Sequence, residues 1–220
     1  MRQAAVQRSR NRRGEGERLR EELLAAAIQL VESQDSQLSL RSVAREVGVA
    51  ATSVYLHFPT IDHLQAAVME LGFERLRMAT AQAGQDMADP TDEMLARLKA
   101  YCLFGVEHSR LYRLMFDTGL PLNVWGDASN TPGRQTFEGM VSIVRRYLEA
   151  TSSSPQEDPF RLALLLWTSL HGQVLARVAR PTLQWPSIDD LVEDMATRIL
   201  SIDRPIDLGR SRRASKRRKA

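Results

Sequence analysis

Residues 40–58, LRSVAREVGVAATSVYLHF, constrain the fold of this chain more than any other stretch. They read as two short apolar-patterned segments joined at a single glycine. Helices under about 12 residues are marginal in water, so each segment must bury its apolar side against a neighbour. Ser39 is placed to cap a helix over 40–47 that turns Val43, Ala44 and Val47 inward. Gly48 supplies the left-handed backbone that ends it. A second helix follows over 51–57, with Val49, Val54 and Phe58 as apolar anchors. The small side chain of Ala44 lets the two axes approach closely. The pair is a helix-turn-helix, and it needs a helix on each side to complete its core.

Both flanks are present. Leu19, Leu23, Ala27, Leu30 and Val31 form one face of a helix over 17–34. "FPT" resets the chain, Thr60 caps, and a long helix over 61–84 carries Leu64, Val68, Leu71 and Leu76. The helical period then continues, with helices expected over 92–108 and 110–117. A loop rich in Gly, Pro and Asn runs over 118–132, and Thr131–Pro132 has the chemistry of a helix start. After the linker "TSSSPQEDP", Pro159 fits only the first turn, so the next helix begins at Asp158 and reaches about Val178. A last helix is expected over 187–202. Strand alternation is nearly absent and no solenoid period recurs. The fold class is all-α.

The chain is 43% hydrophobic and 26% charged, an ordinary balance for a globular protein with a real core. The longest uninterrupted apolar run, LALLLW at 162–167, is far short of the roughly 20 residues that span a bilayer. The first 18 residues are Arg-rich with no apolar stretch, unlike a signal peptide. Cys102 is the only cysteine, which excludes an internal disulfide and a Cys-clustered zinc site. A reducing, cytoplasmic setting is expected, without membrane, metal or cofactor. The net charge of +3 conceals a partition. Residues 1–20 hold seven Arg against two Glu, and residues 204–220 hold eight Lys or Arg against one Asp, leaving the remainder at −9. Such basic blocks favour polyanions, although solvated tails of this kind are common.

The stretch LSLRSVAREVGVAATSVYLHFPTIDHL resembles the DNA-binding signature of the TetR family of bacterial transcriptional repressors. The matching positions are Ser39, Arg41, Val43, Ala44, Gly48, Val49, Ser53, Tyr55, His57, Phe58 and Leu64, without a gap. The C-terminal half is similar to the family branch whose ligand domain carries a Trp-His-Gly pattern, here Trp167, His171 and Gly172 in WTSLHG, accompanied by HSRLYRLMF. The resemblance implies a basic N-terminal arm over 1–16, a helix-turn-helix DNA-binding domain over 17–60, a helical ligand-binding and dimerisation domain over 61–203, and a basic tail over 204–220. Two positions depart from the pattern. Ala50 stands where a capping Ser, Asp or Thr is usual, and Ile61 stands where a phosphate-contacting Lys is usual.

The second helix of such a unit enters the major groove. Its outward residues are Ala51, Thr52, Ser53, Tyr55, Leu56 and His57. Ser53, Tyr55 and His57 suit phosphates, while Ala51, Thr52 and Leu56 offer methyl groups to thymine. Arg41 is the one side chain able to hold guanine O6 and N7 in pairs; elsewhere it would read as a solvent-exposed helix arginine. Ser39 and Thr60 complete the expected interface, with Arg10, Arg12 and Arg13 of the arm following the minor groove. For the C-terminal domain, Tyr101, Phe104, Tyr112, Met115, Phe116, Trp125, Trp167 and His171 are candidate contacts to a small apolar ligand, although aromatics at helical spacing are more often core. The helices over 158–178 and 187–202 carry Leu162, Leu165, Leu166, Leu170 and Val174, and Leu191, Met195 and Ile199, as faces for a homodimer.

The leading expectation is therefore a repressor that binds a palindromic operator on double-stranded DNA as a homodimer and is released by a small apolar ligand. A nucleoid-type DNA coater dominated by its basic arms is the alternative. An enzyme using the C-terminal helical pocket is a third, opposed by the lack of any recognisable catalytic motif. Glu107, His108 and Asp117 have no nucleophile or partner carboxylate at recognisable spacing, so no catalytic residue is assigned.

Overall fold

A computed structural model describes residues 15–33, 37–117, 119, 131–151 and 157–202. Among these residues the chain is all-α, with nine helices and no strand: α1 (Glu15–Glu32), α2 (Leu40–Val47), α3 (Ala51–Tyr55), α4 (Ile61–Ala83), α5 (Pro90–Glu107), α6 (Ser109–Asp117), α7 (Pro132–Thr151), α8 (Pro159–Ala179) and α9 (Ile188–Leu200). The expected helices are all present, with differences at their ends. Asp89 accepts hydrogen bonds from the Thr91 and Asp92 amides at 2.8 and 2.9 Å, so α5 starts at Pro90 rather than 92. Asp158 caps α8 with Pro159 in its first turn, and Ser187 caps α9 through the Asp190 amide at 3.0 Å. Residues 1–14 of the basic arm, residues 120–130 of the loop with Trp125, and the basic tail lie outside the described residues.

The helices pack as two compact units. The first holds α1, α2, α3, α4 as far as Phe73, and α6 from Arg110. Its α1 buries Leu23, Leu24, Ala27 and Ile28, and its α4 buries Leu64, Val68 and Met69. Gly72 brings α6 close to α4. A Cβ there would lie 2.8 Å from Met115 Sδ and 3.2 Å from Leu111 Cδ1. One residue on, the Phe73 ring meets Phe116 edge-to-face at 5.3 Å. Packing thus draws α6 and the first half of α4 into the unit that carries the helix-turn-helix.

The second unit holds the rest of α4, with α5, α7, α8 and α9. Its core comes from Met94, Leu98 and Cys102 of α5, Val144 and Tyr147 of α7, Leu166 and Leu170 of α8, and Val192 and Ala196 of α9. Ion pairs cross this core's rim. Glu93, 15% exposed, holds both Arg97 of its own helix and Arg146 of α7 at 2.8 Å. Lys99 reaches Glu193 at 2.8 Å and Asp189 at 3.3 Å. Burial pulls the Lys99 ammonium pKa down, but these two carboxylates outweigh it and hold the pKa above its ordinary value. Burial also pushes the Cys102 thiol up to about 12.

Helix α8 is long and apolar enough by length and composition to cross a membrane, but its row Leu162, Leu166, Leu170 and Val174 is buried against its neighbours in this unit. That row corrects the expected dimer face, since helical phase directs four of the five residues assigned to it into the protomer's own core. Leu165 remains on the outward row with Phe160 and Leu164, and these are 45%, 54% and 40% exposed. On α9, Leu191, Met195 and Ile199 are half-buried.

Candidate nucleic-acid interface

The helix-turn-helix is built from one well-capped helix and one uncapped one. The Ser39 Oγ accepts the Ser42 amide at 3.0 Å, and the Ser39 amide donates to Ser42 Oγ at 2.9 Å. This reciprocal box satisfies two amides that a helix start leaves open. The Ser42 half of it was not read from the sequence, because serine replaces the usual Glu or Gln three residues after the cap. Gly48 closes α2 at φ 76°, a left-handed conformation that favours glycine. The chain then turns directly into α3, where Ala50 provides no side-chain cap. Inside the turn, Val43, Ala44, Val54 and Phe58 are all buried, and the Arg20 guanidinium of α1 lies over the Phe58 ring at 5.4 Å. The sequence pattern gave no role to Arg20, and its contact with Phe58 depends on tertiary packing.

With that side packed, the opposite side is turned out. Arg41 and Arg45 of α2 are exposed, as are Thr52, Tyr55 and Leu56 of the α3 segment. Leu56 is 84% exposed, the most exposed large apolar side chain among the described residues. Ala51, Ser53 and His57 are half-buried at the edges of the same surface. Ser39 and Thr60, expected to touch DNA, act as helix caps. The Ser39 hydroxyl is engaged with Ser42, and Thr60 Oγ1 accepts the His63 amide at 3.4 Å and meets His63 Nδ1 at 2.8 Å. Arg10, Arg12 and Arg13 lie outside the described residues.

The eight expected ligand contacts fall in different places. Tyr112, Met115 and Phe116 of α6 belong to the first unit, where the Tyr112 ring meets Phe116 at a tilt, 4.7 Å between centroids. Tyr101, Phe104, Trp167 and His171 belong to the second, and Trp125 is outside the described residues. Tyr101, Phe104, Tyr112 and Met115 are core side chains, each under a tenth exposed. Phe116, Trp167 and His171 are only half-buried. Trp167 stacks on His171 at 5.5 Å and meets Phe137 of α7 at 6.0 Å. Phe137 in turn meets Phe160 edge-to-face at 5.5 Å. Elsewhere in the second unit, an open groove of about 490 Å³ runs between α5 and α9, walled by Asp89, Asp92, Leu95, Lys99 and Glu193. None of the expected ligand contacts lines it, and its carboxylates suit an apolar guest poorly.

A packed helix pair with an arginine and a short helix turned outward, in an all-α chain, defines a DNA-binding regulator of the helix-turn-helix class. Residues 23–68 match the family described as bacterial regulatory proteins, tetR family, and residues 94–199 match the tetracyclin repressor-like C-terminal domain. The chain belongs to the TetR family of bacterial transcriptional regulators. Among solved structures it is similar to a protein of unknown function from Rhodococcus sp. RHA1, at 28% identity and TM-score 0.69, covering 84% of this chain and 96% of that one. A TetR-like transcriptional regulator from the same organism matches at 21% identity and TM-score 0.61, covering 87% and 99%. The regulator FadR from Bacillus subtilis, solved in complex with stearoyl-CoA, matches at 11% identity and TM-score 0.66, covering 82% and 97%. At those last two identities the likeness is one of fold.

Proposed function

We propose that this regulator is a repressor that binds a palindromic operator as a homodimer and is released by a small apolar ligand. The observation that carries the reading is the division of the helix-turn-helix into a closed face, with Val43, Val54 and Phe58 buried, and an open one bearing Arg41, Thr52, Tyr55 and Leu56. In this reading residues 17–60 read DNA, while residues 61–203 bind ligand and pair with a second copy. The outward row of α8, with Phe160, Leu164 and Leu165, supports an isologous interface, since an apolar row of this kind is stable once buried against its own counterpart. Two recognition helices about 34–36 Å apart then meet successive turns of one duplex face. Phe116 in the first unit, and Trp167 and His171 in the second, are half-buried and remain the candidate ligand contacts, each tested within its own unit. FadR, similar in fold, was solved in complex with stearoyl-CoA, which supports an apolar ligand for this chain.

The test is to map the genomic sites the protein occupies and to measure Arg41→Ala on a duplex carrying the shared sequence. Arg41→Ala is expected to cost about 1–3 kcal/mol per half-site on the operator and little on random DNA, because it removes base readout. Occupied fragments that share no sequence would favour a nucleoid coater instead. The ligand arm is tested with Trp167→Ala and Phe116→Ala. Both should blunt release by an effective ligand while leaving operator affinity within a few-fold.

A further inference from the structure

We propose that the recognition helix reads its operator chiefly through the C5-methyl groups of thymine, that Leu56 sets this preference, and that 5-methylcytosine substitutes for thymine at its position. The inference rests on the reading that α3 enters the major groove and names the chemistry of the base it prefers there. Residues 50–57, AATSVYLH, contain no Arg, Lys, Asn, Gln, Asp or Glu. Val54 is withdrawn into the core, and Ala51, Ser53 and His57 are half-buried, so the surface is dominated by Thr52, Tyr55 and Leu56. Leu56 continues the helical path at φ −68° and ψ −26° as the C-cap of α3. It stands four residues after Thr52 and therefore on the same face, with Cβ atoms about 5–6 Å apart.

A leucine side chain has no hydrogen-bonding group. On the major-groove edges of the four base pairs, purine N7 and O6, thymine O4 and the amino groups are polar; cytosine offers only a C5–H, and the thymine C5-methyl is the one apolar group that projects into the groove. The group that gives Leu56 its largest favourable contact is therefore that methyl, or the identical methyl of 5-methylcytosine. The Thr52 methyl, one turn back, reaches a neighbouring pyrimidine in the same way. A lone exposed leucine ordinarily needs no explanation. This one ends the helix that faces the groove, beside Tyr55, which is itself 48% exposed. Polar base readout then falls to Arg41 on the preceding helix. The expected half-site combines one guanine contact with a thymine step.

The experiment selects duplexes from a randomised 30-base-pair library with the full-length protein. The selected duplex is then rebuilt with uracil in place of thymine, one position at a time. Uracil keeps the pairing and the O4 acceptor and removes only the methyl. A buried methyl-sized group is worth about 0.8 kcal/mol, or about fourfold in affinity. Uracil at the Leu56-contacted thymine should weaken binding about fourfold per half-site and about fifteenfold on the whole palindrome. At the same position, 5-methylcytosine should bind about fourfold more tightly than cytosine. Leu56→Ala should bind the selected duplex about as weakly as the unsubstituted protein binds the uracil form, with both methyl effects erased, and because Leu56 is 84% exposed its truncation leaves the core intact. A selected operator that binds equally with uracil or thymine overturns the inference while leaving sequence-specific DNA binding in place. Methyl effects that survive in Leu56→Ala overturn the assignment to that residue. If selection enriches no sequence at all, the underlying reading of α3 fails instead.

Discussion

The helix-turn-helix and the second helical unit place their working side chains in opposite ways. Around α2 and α3 the core is closed by small and branched residues, Ala44, Val43 and Val54, and the side chains left outside are few and distinct. In the second unit the core is equally closed, with Leu166, Leu170 and Val174 inaccessible, yet an apolar row stays outside it. Only 28% of the most apolar stretch of α8 is buried. A DNA reader meets a wet, charged partner and can be complete as one chain. A unit that leaves a row of leucine and phenylalanine in water offers a surface for apolar contact. The first region leaves single, separate side chains such as Leu56 outside a closed core, while the second leaves a continuous apolar row.

The closed interior of the second unit gives the largest expected effect. Cys102 is 1% exposed and burial raises its thiol to about 12, so almost no thiolate exists at pH 8. Maleimide labelling of the native protein should run on the order of a thousandfold slower than labelling in denaturant. The same group makes stability depend on pH. Its folded pKa is raised from 9.0, so its contribution is complete below pH 9 and is lost as pH climbs from 9 toward 12. Cys102→Ala should remove that part of the slope in chemical denaturation. Fast native labelling would mean that the interior opens readily and that the contrast with the outer row is weaker than the packing indicates.

The open exterior is tested next. On the proposed homodimer, replacing Leu164 and Leu165 together by Glu should leave only monomer by light scattering, and should weaken operator binding by a hundredfold or more, since each half-site then binds without its partner. A double variant that remains dimeric would place the pairing surface elsewhere, and the outward row of α8 would need another occupant.

Much of the helix-turn-helix was legible because its constraints are local. Ser39, Gly48 and the Val43, Val54 and Phe58 anchors act within one or two turns, and spacing along the chain fixes their neighbours. What escaped was set by tertiary packing. The phase of α8 decides which leucines face inward, and an apolar helix with Leu at 162, 164, 165 and 166 shows no narrow stripe from which to choose. Gly72 looks neutral in sequence, and its meaning comes from Met115 and Leu111, about forty residues on, which leave no space for a Cβ. Likewise, a single list of aromatics suggested one pocket, whereas packing assigns α6 to one unit and α5 and α8 to another.

The basic arm bears on the same contrast, because the folded helix-turn-helix turns few cations toward the groove. Arg41 and Arg45 are exposed, while position 61 carries Ile in place of the usual Lys. Each phosphate neutralised steepens the dependence of affinity on log salt by about 0.9. Deleting residues 1–13 should flatten that slope by about two units per proposed dimer, roughly a sixteenfold change across a fourfold range of salt, on operator and random DNA alike. An unchanged slope would leave Arg10, Arg12 and Arg13 as a solubilising segment. The folded surface would then have to supply the phosphate contacts by itself.

The smallest effect concerns the difference between the two helices of the reading head itself. Ser39 caps α2, and Ala50 leaves α3 without a side-chain cap although its backbone, at φ −67° and ψ 142°, already has the extended conformation a capping residue needs. Serine at position 50 can therefore supply its Oγ to an open amide with no change of backbone, in a place where the residue is exposed and nothing must be displaced. Ala50→Ser is expected to stabilise α3 by about 1 kcal/mol. Read by hydrogen exchange, this is about a fivefold rise in protection over residues 51–58, with α5 and α8 unchanged, because the added bond acts on local opening. Operator affinity should stay within about twofold, since Arg41, Thr52, Tyr55 and Leu56 keep their positions. A fall in affinity well beyond that, with protection raised as expected, would show that the uncapped start of α3 is itself needed for docking. The absence of a cap would then be a working feature of the reading head and not merely a loss of helix stability.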